Sequence, residues 1–293
     1  MKDQVYNIGS CALIVEFNAS VWTARKLDRT TSDEVVTSKN AGAKDAARVN
    51  KHLLAGRTEL EVIQKHVSQV RAGFVHTSTL PWSDTGQRLL PTARFLEFDG
   101  RMKEEEDKYW ELVKSFISIY PTLITAQAMA LGSMFKREDY PSPDDMENKF
   151  AFNVTYLPVP ESGHFIVDVG TAAAADLQKK LTKLADERVH LAVRDVKERL
   201  KEHLVRMSDR LGVDTVKGEV KTRKFHDTLV EGALELCDMV KALNITNDKD
   251  LEKARKALAS TLTGVTADEL RKNMPVREDV KKSVDFILSK FNF

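Results

Sequence analysis

The chain has 293 residues, with 45 Lys or Arg against 44 Asp or Glu, a formal net charge of +1 and 30% charged residues. That balance excludes a strongly basic nucleic-acid polyelectrolyte, an acidic tail and a weakly charged membrane bundle. With 42% hydrophobic residues the chain can fill a core, and only 13 Gly and 8 Pro point to long helices.

In chain order, residues 10–21 read as a strand: Cys11-Ala-Leu-Ile-Val15 is a buried run and Glu16-Phe17-Asn18 begins an alternation. Trp22 to Asp28 is its exit, and the polar stretch Thr30–Asn40 is expected to be a loop. Asp45–Ala72 carries apolar residues mostly three, four or seven apart, which predicts a helix of about 40 Å with a weak point at Gly56. Phe74–Pro91 is irregular. Thr92–Tyr120 resumes helix, broken at Asp99-Gly100, with Trp110, Val113, Ile117, Tyr120 and Ile124 as its apolar face and Pro121 as a kink or restart. Ser142-Pro143-Asp144-Asp145 is a helix start. Residues 150–157 and 165–169 alternate and predict a hairpin with a long connection. From Gly170 to about Leu211 the chain is helical again, with Val189, Val193, Val196, Leu200, Leu204, Met207 and Leu211 on one face. Unbroken, that helix measures about 60 Å. Shorter helices are expected at Phe225–Leu243, Lys249–Leu262, Ala267–Asn273 and Glu278–Phe291, with Thr266-Ala-Asp-Glu269 as a capping box.

Compartment signals are consistent with a cytoplasmic protein. Cys11 and Cys237 lie 226 positions apart and suggest neither a metal knuckle nor a disulfide framework. The run Cys11–Val15 is too short for a signal peptide. The uncharged stretch Ser115–Phe135 is diluted by polar residues and holds Pro121, so it reads as a buried helix rather than a membrane span.

No phosphate-binding glycine loop, dinucleotide fingerprint, zincin helix or nucleophile elbow is present. The acids Asp99, Glu104, Glu105, Glu106 and Asp107 with Lys108 contain a Glu-x-Lys, a nuclease element when it sits on a strand. Here a helix's first turns, where acids favour the dipole, account for it better. None of the seven histidines is paired at i, i+4, so no metal ligand set is expected. The segment Trp82-Ser83-Asp84-Thr85-Gly86 with Arg88 reads as a binding loop or as a structural turn. In the second reading Asp84 satisfies its own backbone, Gly86 supplies positive φ and Trp82 docks. Basic residues collect in two places. Arg25, Lys26 and Arg29 follow the first strand, and Lys217, Lys221, Arg223 and Lys224 fall within eight residues. Either group suits phosphates or a solvated loop.

Three stretches together resemble a known family: Trp22-Thr-Ala-Arg-Lys-Leu27, Leu80-Pro-Trp82 with Gly86-Gln-Arg-Leu-Leu-Pro91, and Phe150-Ala-Phe152 with Leu157-Pro-Val-Pro160 and Ser162-Gly-His-Phe-Ile-Val-Asp168. Leu243-Asn-Ile-Thr-Asn-Asp248 agrees further on. The chain resembles, over nearly its whole length, a bacteriophage and prophage family defined as a domain of unknown function. Ala24 stands where the family pattern has Gly. The resemblance implies a gene neighbourhood with MoxR/CobS-like AAA+ ATPases, an adaptor, scaffold or nucleic-acid accessory role in a bacterial host cytoplasm, and no catalytic residues. It brings forward Trp22, Arg25, Lys26, Trp82, Asp84 and Arg88 as candidate interaction residues.

The sequence thus predicts a single α+β domain over 1–293. Long helices form a bundle or a coiled-coil-like arm within 172–211, beside a small antiparallel sheet from residues 10–21, 150–157 and 165–169. The expected function is non-enzymatic: a phage interaction or scaffold protein that self-assembles as a homo-oligomer or partners an AAA+ ATPase, without cofactor, metal or membrane. The alternative is single-stranded nucleic-acid binding through Lys217, Lys221, Arg223 and Lys224.

Overall fold

The first apolar run forms β1 (Ala12–Ser20), with Ala12, Ile14, Val15 and Phe17 buried. The computed structural model describes residues 11–159, 171–216 and 219–291, with the backbone alone at 171–178, 215–216 and 219–221. The fold is α+β, long helices with a small antiparallel sheet. The chain gathers into two units. One holds residues up to Glu16, His76–Phe98 and the chain from Thr155; the other holds Phe17–Val75 and Asp99–Val154.

In the second of these units, β2 (Arg25–Asp28) pairs antiparallel with β3 (Val49–His52), Arg25 opposite His52 and Asp28 opposite Val49. Between them α1 (Arg29–Ser38) replaces the expected loop. Asp28 starts it, its carboxylate accepting from the Thr31 amide at 3.1 Å, while the Ser32 hydroxyl accepts from the Val49 amide at 2.9 Å. A cap and one buried hydroxyl carry this helix, so its sequence shows no apolar period. The single helix expected over Asp45–Ala72 is likewise corrected. Residues 49–52 are claimed by the free edge of β2, and Gly56 has φ +70°. The helix α2 covers only Glu59–Gln69 and continues as wide π turns at Val70–Val75.

The chain next forms α3 (His76–Ser78), β4 (Leu80–Pro81) and β5 (Arg88–Pro91). Strand β5 lies antiparallel between β4 and β1, with Leu80 opposite Leu89 and Ile14 opposite Leu89. Helix α4 (Phe95–Leu131) follows, unbroken at Asp99-Gly100 and carrying Pro121 inside it. Its buried stripe is Tyr109, Val113, Phe116 and Tyr120. Of the expected face, Val113, Tyr120 and Ile124 are buried, while Trp110 and Ile117 give way to their neighbours Tyr109 and Phe116, which have aromatic partners. Phe116 lies 5.9 Å from the Phe150 ring, and Tyr109 lies 5.4 Å from that of Phe152. The expected helix start at Ser142 holds α5 (Pro143–Met146), its hydroxyl accepting from Asp145 at 3.1 Å.

Strand β6 (Ala151–Pro158) is the other neighbour of β1, giving the sheet order β4-β5-β1-β6. The strand expected at 165–169 lies outside the described residues. The remaining elements follow α6 (Thr171–Leu211), 41 residues long. They are the hairpin β7 (Val213–Val216) and β8 (Glu219–Thr222), then α7 (Thr228–Leu243), α8 (Lys249–Leu262), α9 (Ala267–Lys272) and α10 (Met274–Lys290). The α6 stripe from Val189 to Leu211 joins one core with Ala233, Leu236 and Val240 of α7, with Leu258 of α8 and with Val284 of α10.

Candidate functional site

In the Trp82–Arg88 loop Trp82 docks and Gly86 supplies the positive φ, two of the three features of the turn reading. Trp82 is 3% exposed, its amide donates to Gln87 O at 3.1 Å, and the Arg188 guanidinium sits 5.5 Å from its ring. Gly86 takes φ +94°, which a side chain would strain. Asp84 is exposed. Arg88 serves the backbone: Nε donates to Thr79 Oγ1 at 3.0 Å and NH2 to the carbonyls of Thr79 and His76 at 2.9 and 3.1 Å. Burial first, and the neighbouring Arg199 second, lower its pKa to about 10. Arg199 of α6 clamps the same segment, with NH1 on Thr77 O at 2.8 Å and NH2 on the His76 and Thr79 carbonyls at 2.9 and 3.0 Å.

Trp22, Arg25 and Lys26 belong to the other unit. Trp22 is half-buried, edge-on to Tyr120 at 5.7 Å. Arg25 is exposed on β2. Lys26 pairs with Asp139 at 2.8 Å, and Asp139 also meets Lys51, a buried lysine that donates to Met134 O at 2.9 Å and lies 3.7 Å from Asp28. Ala24 has φ +49°, so the strand exit requires the left-handed turn that a glycine makes most easily.

Of the basic cluster, the Lys217 and Lys221 side chains lie outside the described residues. Arg223 is held by Asp214, with Nε at 2.9 Å, and by Asp209. The Asp214 bond first and the Asp209 charge next raise its pKa. Lys224 is exposed. The acids in α4 stand well inside the helix rather than at its start. Asp99 pairs with Lys103 at 2.7 Å, and Glu105 is buried between Arg101 at 2.5 Å and His66, whose Nε2 lies 3.0 Å from Glu105 O.

Two features had not been singled out from the sequence. The first is an open cleft of about 440 Å³ between α6 and α7, bordered by Arg199, Glu202, His203, Arg206, Glu235 and Met239. His203 Nε2 lies 3.2 Å from Leu229 O, and burial lowers its pKa. A carbonyl only accepts, so that nitrogen carries the proton of the neutral ring. The second is the outward side of α6. Leu184, Leu191 and Val205 are 41%, 46% and 50% exposed. They recur at multiples of seven, with the exposed Glu198 in the slot between Leu191 and Val205, roughly opposite the Val196–Leu200–Met207 stripe. From Lys179 to Arg188 no side chain is buried among the described residues. The signal for this face is present in the sequence as Leu177, Leu184 and Leu191, one heptad apart. The stronger stripe from Val189 onward masks it.

Among the described residues no group of three or more His, Cys, Asp or Glu could hold a metal, and no helix is long and apolar enough to cross a membrane. Comparison with family models, with curated proteins and with solved structures gave no match.

Proposed function

We infer that this protein is a non-enzymatic interaction protein that assembles with copies of itself through the outward face of α6. One observation carries the reading: Leu184, Leu191 and Val205 stay 41–50% exposed on one side of a helix whose other side fills a core. Isolated exposed leucines are ordinary, but a stripe at heptad spacing is the pattern that a second helix covers. The resemblance to a phage and prophage family adds a MoxR/CobS-like AAA+ ATPase as a further partner of such an assembly. Single-stranded nucleic-acid binding has less support, since Arg223 is already held by two aspartates.

Light scattering across a dilution series tests the reading. The expected result is a dimer or larger species that Leu184→Glu and Leu191→Glu convert to a monomer whose circular dichroism is that of the folded chain. A wild-type chain that is monomeric at every concentration and purifies with no partner overturns it.

A further inference from the structure

A two-stranded ribbon turns alternate residues to opposite faces. In β2–β3 the facing pairs Lys26–Lys51 and Asp28–Val49 fall on one side, and that side is engaged. Lys51 and Asp28 are buried there, and both lysines pair with Asp139. The pairs Arg25–His52 and Leu27–Asn50 fall on the other side. All four of these residues are exposed, Leu27 at 42%. Arg29 and Arg48 lie one step beyond the last pair, Asp28–Val49, continue the same alternation and are exposed as well.

The charge of this free side is not taken up within the chain. Among the described residues, the side chains of Arg25, Arg29, Arg48 and His52 make no ion pair or hydrogen bond. The acids of the intervening chain, Asp33, Glu34 and Asp45, form none with them. Residues 21–58 hold eight Lys or Arg against four Asp or Glu, in a chain whose totals are 45 and 44.

Shape and chemistry together select the ligand. Arginines attract phosphates. A two-stranded ribbon fits the major groove of duplex DNA, about 12 Å wide, with one face toward the bases. The free face carries the residue types that read base edges there: arginine for guanine, asparagine for adenine and an apolar side chain for the thymine methyl. Single strands are held instead on aromatic platforms. The free face has no Phe, Tyr or Trp, and Trp22, just before β2, packs edge-on to Tyr120 at 5.7 Å.

We propose that β2–β3 lays its free face in the major groove of duplex DNA, with Arg25, Leu27 and Asn50 toward the base edges and Arg29 and Arg48 on the phosphates. This surface stands apart from assembly through α6.

Anisotropy titration of a short labelled duplex of mixed sequence with the full chain tests it, at salt from about 50 to 200 mM. The association constant should fall with salt, with a log–log slope of about −2 for two phosphate contacts. Arg29→Ala and Arg48→Ala should each weaken binding about tenfold at low salt and lower the slope by about one, with the circular dichroism of the folded chain. Asn50→Ala should weaken binding with the slope kept. Lys224→Ala, at an exposed lysine of the other unit, should change neither. No binding at about 50 mM salt overturns the proposal, as does tighter binding of a single strand than of the duplex. An effect of Lys224→Ala equal to that of Arg48→Ala marks charge attraction without a site and overturns it too. Binding of a glutamate-rich peptide in place of the duplex assigns the face to an acidic protein and has the same consequence.

Discussion

Arg277 of α10 donates through Nε to the carbonyl of Leu211, the last residue of α6, at 2.9 Å. Its NH2 lies 2.8 Å from the Arg210 and Arg223 carbonyls and 3.3 Å from that of Gly212, and NH1 lies 3.5 Å from that of Leu270. The side chain is 1% exposed and its partners are backbone oxygens, so burial alone lowers its pKa. One guanidinium thus closes the end of a 41-residue helix, where carbonyls have no intrahelical donor. Arg277→Met should destabilise by about 3 kcal/mol or more in urea unfolding, because several buried carbonyls lose their donor at once. Arg277→Lys should recover little, since an ammonium cannot reproduce the planar fork.

The Asp28–Lys51–Asp139 group should make stability depend on acid. The Thr31 amide, ahead of Lys51, draws the Asp28 pKa down. At Asp139 burial pushes upward, but the bonds from Lys26 and Lys51 prevail and the pKa is lowered. A carboxylate with a folded pKa below its unfolded value of about 3.9 adds stability that is complete above that value. The contribution fades as pH falls through the folded pKa. Asp139→Asn should therefore lower the melting temperature at pH 7, and the gap from wild type should shrink as pH falls below the unfolded value of about 3.9. A gap that stays constant down to acid unfolding counts against the ion pair.

Two opposite backbone substitutions should both stabilise. Gly100 sits inside α4, and a Cβ there meets nothing within 4 Å. Gly100→Ala should add up to about 1 kcal/mol through helix propensity. Ala24 is held at φ +49°, so Ala24→Gly should relieve about 1 kcal/mol of left-handed strain. Gly86→Ala, at φ +94°, should instead cost stability. Chemical denaturation of the three variants gives all three signs.

The thiols should differ in reactivity. Cys237 is 2% exposed, and burial pushes its pKa up to about 11. Only the thiolate reacts with disulfide reagents. At neutral pH Cys237 should label about a hundredfold more slowly in the folded chain than after denaturation. Cys11, which is partly exposed, should label first. Rapid labelling of both in the folded state would falsify the packing of α7 against α8.

The long helices were legible because burial imposes a period on them. The expected Lys249–Leu262 is α8 to the residue, and the Val189–Leu211 stripe is the buried side of α6. Thr266 caps α9 as its capping sequence indicates, accepting from Glu269 at 3.1 Å. Elements fixed by a single polar contact were not legible. α1 depends on Asp28 and Ser32, and β3 depends on the free edge of a strand more than twenty positions earlier. In α4 both Tyr109 and Trp110 are aromatic and lie four and three residues before Val113, so periodicity alone could not choose between them. At the candidate site, Trp82 and Arg88 were conspicuous for their chemistry; Trp82 is docked and Arg88, on β5, is bonded to the backbone of the preceding segment. The α6 leucines were inconspicuous because a second, stronger apolar face shares their helix.

Arg88 and Arg199 both end on the carbonyls of the short segment His76–Thr79. Counter-ions screen attraction between exposed full charges over about 10 Å at 0.1 M salt. They act far less on a half-buried guanidinium bonded to neutral oxygens. Surface pairs along α6, such as Lys183–Glu187 at 3.8 Å, loosen as salt is added. The attachment of the helix to the β4 segment does not depend on them. Its bearing is therefore tolerant of ionic strength, and the leucine face is presented in the same direction in dilute and in concentrated salt.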